Sequence, residues 1–180
     1  MTTIATAYRT QTVPVELVAV DNSGGGAFAL PDEAAAMCDD VIVYGVNRGP
    51  ACRIVGGLLA RTEFVLFHDD DMLPGPECIE NYLACADRLG EGFGVLGWLG
   101  RQMSWVTCLG SHGKRKYPRY SDVNIASRAG KFRRVDFTAR GMFVRRDMMW
   151  VLEPFRNRIA AEIGHERADY LLEHDDIHLG

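Results

Sequence analysis

Phe64-Val65-Leu66-Phe67-His68-Asp69-Asp70-Asp71-Met72-Leu73-Pro74-Gly75-Pro76 is the stretch that decides the fold. Four apolar residues with no polar alternation read as a strand covered on both faces. Three carboxylates follow with only His68 between, and then a Pro-Gly-Pro brake ends the extended run. From Pro76 to Leu89 the apolar residues Ile79, Tyr82, Leu83, Ala86 and Leu89 recur at three- and four-residue intervals, which predicts a helix with Pro76 in its first turn. The acidic triplet therefore sits at a strand-to-helix switch. Alternation in extended backbone puts Asp69 and Asp71 on one face at the carboxyl end of the strand, where open α/β sheets place their ligands. Adjacent carboxylates repel one another, and a divalent cation that prefers oxygen relieves that repulsion. The spacing does not fit the calcium loop with its glycine at the sixth position.

Working outward, residues 15–20, 41–46 and 93–96 repeat the apolar, β-branched pattern and read as further strands buried on both faces. Residues 31–38 and 49–60 read as helices between them, the second opening on Gly49-Pro50. This alternation predicts a three-layer α/β/α domain with a mostly parallel central sheet. After Trp98 the periodicity fades through a Gly-, Ser- and basic-rich stretch to about residue 134, which reads as a long excursion or lid. Residues 135–145 resume a strand pattern, and 146–172 read as one or two helices interrupted near Pro154. The first fourteen residues are too few for both a strand and a full crossover helix. They are either the tail of such a helix or a strand with a shortened connection, and the expectation is a minimal or truncated single domain over residues 1–180.

Composition narrows the setting. The chain has 180 residues, 47% hydrophobic and 24% charged, enough for one sizeable core. No run of about 18 apolar residues and no signal-peptide pattern occurs, so the expected address is cytoplasmic, with no transmembrane segment. Five cysteines without a C-x-x-C pair argue against a disulfide framework or a zinc ribbon. The net charge of −4 hides an asymmetry: residues 112–134 hold eight basic residues against Asp122, a net of +7, leaving −11 on the rest. Such a segment attracts a polyanion or a phosphorylated substrate, or closes as a solvated lid.

The order Val20-Asp-Asn-Ser23, Asn47-Arg-Gly-Pro-Ala-Cys-Arg53, Phe67-His-Asp-Asp-Asp71, Arg140-Gly-Met-Phe-Val-Arg-Arg146 and His174-Asp-Asp-Ile-His-Leu179 resembles a GT-A glycosyltransferase, family-2-like or exostosin-like. The resemblance spans nearly the whole chain, with residues 1–100 as the nucleotide-sugar-binding half and 101–180 as the acceptor and catalytic half. It departs at the compressed first strand and helix, at Ile54 where an asparagine is usual, and at His178 where an acid is common. It implies that Asp21, Arg53, Asp69 and Asp70 contact the nucleotide of a UDP-sugar donor. It further implies that Mn²⁺ or Mg²⁺ is held by Asp71 with Asp69 and His178, and that Asp176, with Asp175 as alternate, is the general base or charge stabiliser. Asp21 has an equal local reading as an Asx-turn with Asn22 and Ser23, and Arg53 as a surface helix arginine. Trp98 and Trp105 flank the basic excursion and are candidates for stacking on an acceptor, which the charge makes anionic: nucleic acid, a lipid-linked sugar or a glycan.

Two rivals stand beside this reading. A sugar-nucleotide pyrophosphorylase needs a Gly-rich phosphate loop opening a helix, whereas Gly24-Gly25-Gly26 follows the wrong strand. A truncated, non-catalytic module that keeps only nucleotide or acceptor binding is the alternative from another class.

Overall fold

The computed structural model describes residues 1–47, 52–110, 113–123 and 137–151. In chain order they form α1 (Thr2–Arg9), β1 (Val18–Asp21), α2 (Asp32–Ala35), β2 (Asp40–Val43), α3 (Arg53–Leu59), β3 (Phe64–Phe67), α4 (Cys78–Leu89), β4 (Val95–Gly110), β5 (Gly113–Val123) and β6 (Phe137–Arg145). Short 3-10 turns cover Gly26–Phe28, Gly90–Gly92 and Arg146–Val151. The opening residues are helical, the first of the two options left by the sequence.

The chain is a mixed α/β protein with two small sheets. β1 and β2 pair in parallel, Val18 opposite Asp40 through Asp21 opposite Val43. The other four strands form an antiparallel sheet in the order β3-β6-β4-β5. The expectation of a mostly parallel sheet is thus corrected among the described residues, because parallel pairing is confined to β1 and β2. The physical reason lies in the connections. A two-residue link joins Gly110 to Gly113, and a link that short admits only an antiparallel neighbour. The same pairing corrects the described part of the expected excursion: Gly100–Gly110 and Gly113–Val123 lie in continuous register within two long strands. β2 is a second correction, since Val41 and Val43 are 38% and 67% exposed, so this strand is not covered on both faces.

The core forms on both sides of β6. Met142 and Val144 pack with Phe67 and Met149 beside Ile54 and Leu58 of α3. Phe143, which alternation turns to the opposite face, packs with Cys78, Tyr82 and Ala86 of α4 and with Phe64, Leu66 and Leu96. Its ring stacks on Tyr82 at 5.0 Å and on Phe64 at 5.2 Å between centroids. Burial pushes the Tyr82 phenol well above its ordinary range, and its hydroxyl donates to the Gly141 carbonyl at 3.4 Å. Gly141 has φ of 76°, a left-handed conformation that favours glycine, and it faces the irregularity in β4 between Gly97 and Leu99. The Arg140–Arg146 motif therefore supplies core: its three central side chains are almost fully buried.

Side chains from early in the chain fasten these layers. Gln11 donates to the Gly75 carbonyl at 2.7 Å and accepts from the Ile79 amide at 3.1 Å, satisfying an otherwise unpaired donor in the first turn of α4. Arg9 pairs with Asp39 at 3.0 Å and donates to the Met37 carbonyl at 2.6 Å. Arg61 is held by Glu16 at 2.6 Å.

α3 seats on both sheets through two glycines. A Cβ on Gly56 would meet Val20 at 3.1 Å, and one on Gly57 would meet the Phe67 ring at 2.6 Å and Met149 at 3.1 Å. Alanine is the better helix former by about 1 kcal/mol, but overpacking a filled contact costs about 1–3 kcal/mol. Gly57→Ala is therefore expected to lower stability in urea denaturation, whereas Gly45→Ala, with open space around it, leaves the midpoint unchanged. An unchanged or raised midpoint for Gly57→Ala would show that the helix seat is not tightly filled.

Candidate functional site

The carboxyl ends of β1 and β3 carry the candidate residues, and α3, packed on both strands, supplies the cation. At β1, Asp21 ends the strand and its two carboxylate oxygens serve the following loop. Oδ1 accepts from the Ser23 amide at 2.9 Å, the Asx-turn read from the sequence, and Oδ2 accepts from the Leu30 amide at 2.9 Å. These amides, Leu30 foremost, hold the Asp21 carboxyl below its ordinary range. The side-chain amide of Asn22 donates to Asn47 Oδ1 at 3.1 Å, which ties the loops after β1 and β2 together.

At β3, the strand closes on buried Phe67, then half-buried His68 and Asp69, then a turn through exposed Asp70 and Asp71. Arg53, the first residue of α3, donates from Nη1 to Asp69 Oδ1 at 2.8 Å, with a quarter to a third of each side chain exposed. Two residues assigned separately by the sequence are thus partners sixteen positions apart. The pair carries a delocalised cation at the strand end beside two further carboxylates, an arrangement suited to a ligand with both phosphate and hydroxyl groups.

His68 is a site neighbour that motif reasoning passed over. Its ring meets Tyr8 of α1 edge to face at 5.3 Å, and burial pushes its pKa below the ordinary value against the opposing pull of Asp69 and Asp71. Among the described residues the Tyr8 hydroxyl is buried without a hydrogen-bond partner, and burial drives its pKa upward. The available signal was periodicity: Ala5 and Tyr8 lie three apart and form the buried face of α1. A cleft of about 340 Å³ runs along Tyr8, Arg9 and residues 11–15, and none of the candidate residues lines it.

Among the described residues, no three His, Cys, Asp or Glu side chains converge as a ready-made metal cage. Oxygen donors in an exposed turn nevertheless fit a hard cation of the magnesium type, which is commonly bound by one or two carboxylates together with substrate phosphates. Asp175, Asp176 and His178 lie outside the described residues, as do His112, His165 and residues 124–134 of the basic stretch. Trp98 is half exposed in β4. Among the described residues no helix is long and apolar enough to cross a membrane. Compared with known proteins, the chain matches no family model, no curated protein and no solved structure.

Asp21 offers a pH signature. Because its folded pKa is depressed, its contribution to stability is complete above the unfolded carboxyl value of about 3.9 and is lost as pH falls through the folded value. Urea midpoints measured from neutral pH into acid are expected to fall less steeply below about pH 4 in Asp21→Asn than in the wild type. Profiles that run parallel throughout that range would remove Asp21 from this role.

Proposed function

We propose that the chain is a metal-dependent glycosyltransferase of GT-A type, which transfers a sugar from a UDP-sugar to a hydroxyl of an anionic acceptor. The observation that carries this reading is the Arg53–Asp69 pair at the carboxyl end of β3, directly before Asp70 and Asp71. Helices α3 and α4 on opposite sides of the sheet are in keeping with a three-layer arrangement of GT-A kind. The order of motifs along the sequence supplies the rest of the support.

In this reading Asp71, with Asp69 and His178, would hold Mn²⁺ or Mg²⁺ for the donor diphosphate. Such a metal would supply positive charge to offset the charge that develops on the leaving nucleoside diphosphate. Arg53 adds a charge-assisted hydrogen bond to the same phosphates, and Asp69 fixes the position of its guanidinium. Asp69 and Asp70 face the nucleotide, and Asp21 lies towards its base or ribose. Asp176, or Asp175 in its place, accepts the acceptor hydroxyl proton in an inverting reaction or stabilises positive charge at the anomeric carbon in a retaining one. A second reading, a non-catalytic module that binds nucleotide without transfer, draws on one observation: Asp21 and Asp69 already spend hydrogen-bonding capacity on protein donors.

Calorimetric titration with nucleoside diphosphate is expected to show binding with Mn²⁺ that is largely lost with EDTA or in Asp71→Asn, since the phosphates then face uncompensated carboxylates. Equal affinity with and without metal would refute the assignment. Asp176→Asn is expected to abolish transfer and to leave donor binding nearly intact, because a base or charge stabiliser acts mainly in the transition state. Near-normal turnover in that variant moves the role to Asp175 or elsewhere, and nucleotide binding by the wild type without any transfer favours the binding module.

A further inference from the structure

β4 extends past the described part of β6. Among the described residues, β4 pairs with β6 between Val95 and Arg101, around a register shift, and from Gln102 to Gly110 with β5 alone. These nine residues and their partners Gly113 to Ser121 make a two-stranded ribbon about 30 Å long, at about 3.4 Å per residue. Among the described residues no third strand pairs with it. A two-stranded ribbon is marginally stable in water by itself, and its chemistry shows which kind of surface would suit it.

The charge on the ribbon is one-sided. Gln102 to Gly110 contain no charged residue, and Gly113 to Ser121 hold Lys114, Arg115, Lys116 and Arg119 with no acid. The ribbon thus carries +4 on a chain whose net charge is −4, leaving −8 on the remainder. In the continuous register Lys114, Lys116 and Tyr120 stand opposite Leu109, Thr107 and Met103, and Trp105 stands opposite Pro118. Arg115, Tyr117 and Arg119 stand opposite Cys108, Val106 and Ser104. Along the pair, cations and aromatic residues recur at register positions two apart, about 6.8 Å along the strand. That repeat suits a ligand presenting phosphates and planar rings in regular succession.

We propose that the β4–β5 ribbon is a docking arm for single-stranded nucleic acid, whose phosphates meet the four cations and whose bases meet Tyr117, Tyr120 and Trp105. This names the class of the anionic acceptor and rests on that part of the proposed function, not on the donor chemistry. An anionic glycan or a phospholipid surface offers the charge without the stacked rings, and the repeat of aromatic residues favours nucleic acid over both.

The test uses the full chain, a fluorescent oligonucleotide of about 16 nucleotides and, in parallel, nucleoside diphosphate with Mn²⁺. Binding is expected to weaken from ~50 to ~200 mM salt with a logarithmic slope of about −0.7 for each cation engaged. The triple variant Lys114→Gln, Arg115→Gln, Lys116→Gln is expected to lose roughly tenfold or more in affinity and about 2 in slope. Lys114→Arg with Lys116→Arg is expected to retain binding, and circular dichroism of each variant guards against misfolding. A single strand is expected to bind more tightly than the duplex of the same sequence. Unchanged oligonucleotide affinity in the folded triple variant would overturn the proposal. So would tighter binding to duplex, to a sulfated glycan or to phosphatidylserine vesicles. Oligonucleotide binding that depends on the ribbon, without nucleoside diphosphate binding, upholds the arm and overturns the donor reading. The converse result overturns the arm and leaves the donor reading standing.

Discussion

The close seat of α3 on two sheets at once is the constraint on which the structure depends. Gly56 sits against Val20 of the parallel pair, and Gly57 sits against Phe67 of the antiparallel sheet. Consecutive glycines cost helix propensity, and a helix of seven residues has little to spare. The return is that strands sharing no described ladder are joined by one helix. The same seat sets the first residue of that helix at the end of β3, where Arg53 reaches Asp69. Packing and candidate chemistry are therefore two ends of a single short element.

β6 performs the corresponding service for the second sheet. It lies between β3 and β4, and its alternation sends Met142 and Val144 towards α3 and Phe143 towards α4. One strand thereby feeds both hydrophobic clusters, and Gly141 lets the backbone turn where β4 loses register. The motif around Gly141 is legible in sequence because burial demands it, and its presence alone says little about catalysis.

How far the sequence could be read follows from how loudly each element speaks in hydrophobicity. β3 lies where its four apolar residues place it, and α4 begins two residues after the Pro76 start read from periodicity. The ribbon is hard to read in sequence because cations and hydroxyls alternate with its aromatic residues and flatten the period-two signal. Its mark was the pair of glycines, Gly110 and Gly113, around a two-residue link. The apolar run at 41–46 reads as a strand covered on both faces, yet composition does not reveal which strand lies at an edge. Within the site, the sequence offers Arg53 and Asp69 one by one, as contacts that the resemblance implies. Their mutual bond required the fold, since spacing along the chain carries no information on how α3 meets β3. His68 and Tyr8 were missed for a related reason, because their contact joins the first helix to a strand end 60 positions later.

Gln11 gives the acidic turn a boundary condition. β3 anchors one end of the segment from His68 to Gly75, and the Gln11 amide holds the other by the Gly75 carbonyl and the Ile79 amide. The ends of an eight-residue loop are thereby pinned, and the entropy of closing it is spent when the protein folds, so a ligand of the proposed site would meet a loop already closed. Preorganisation of Asp69, Asp70 and Asp71 is in this sense remote. It is set by a glutamine at the end of the first helix, so the first dozen residues act as a clasp on a loop some 60 residues away.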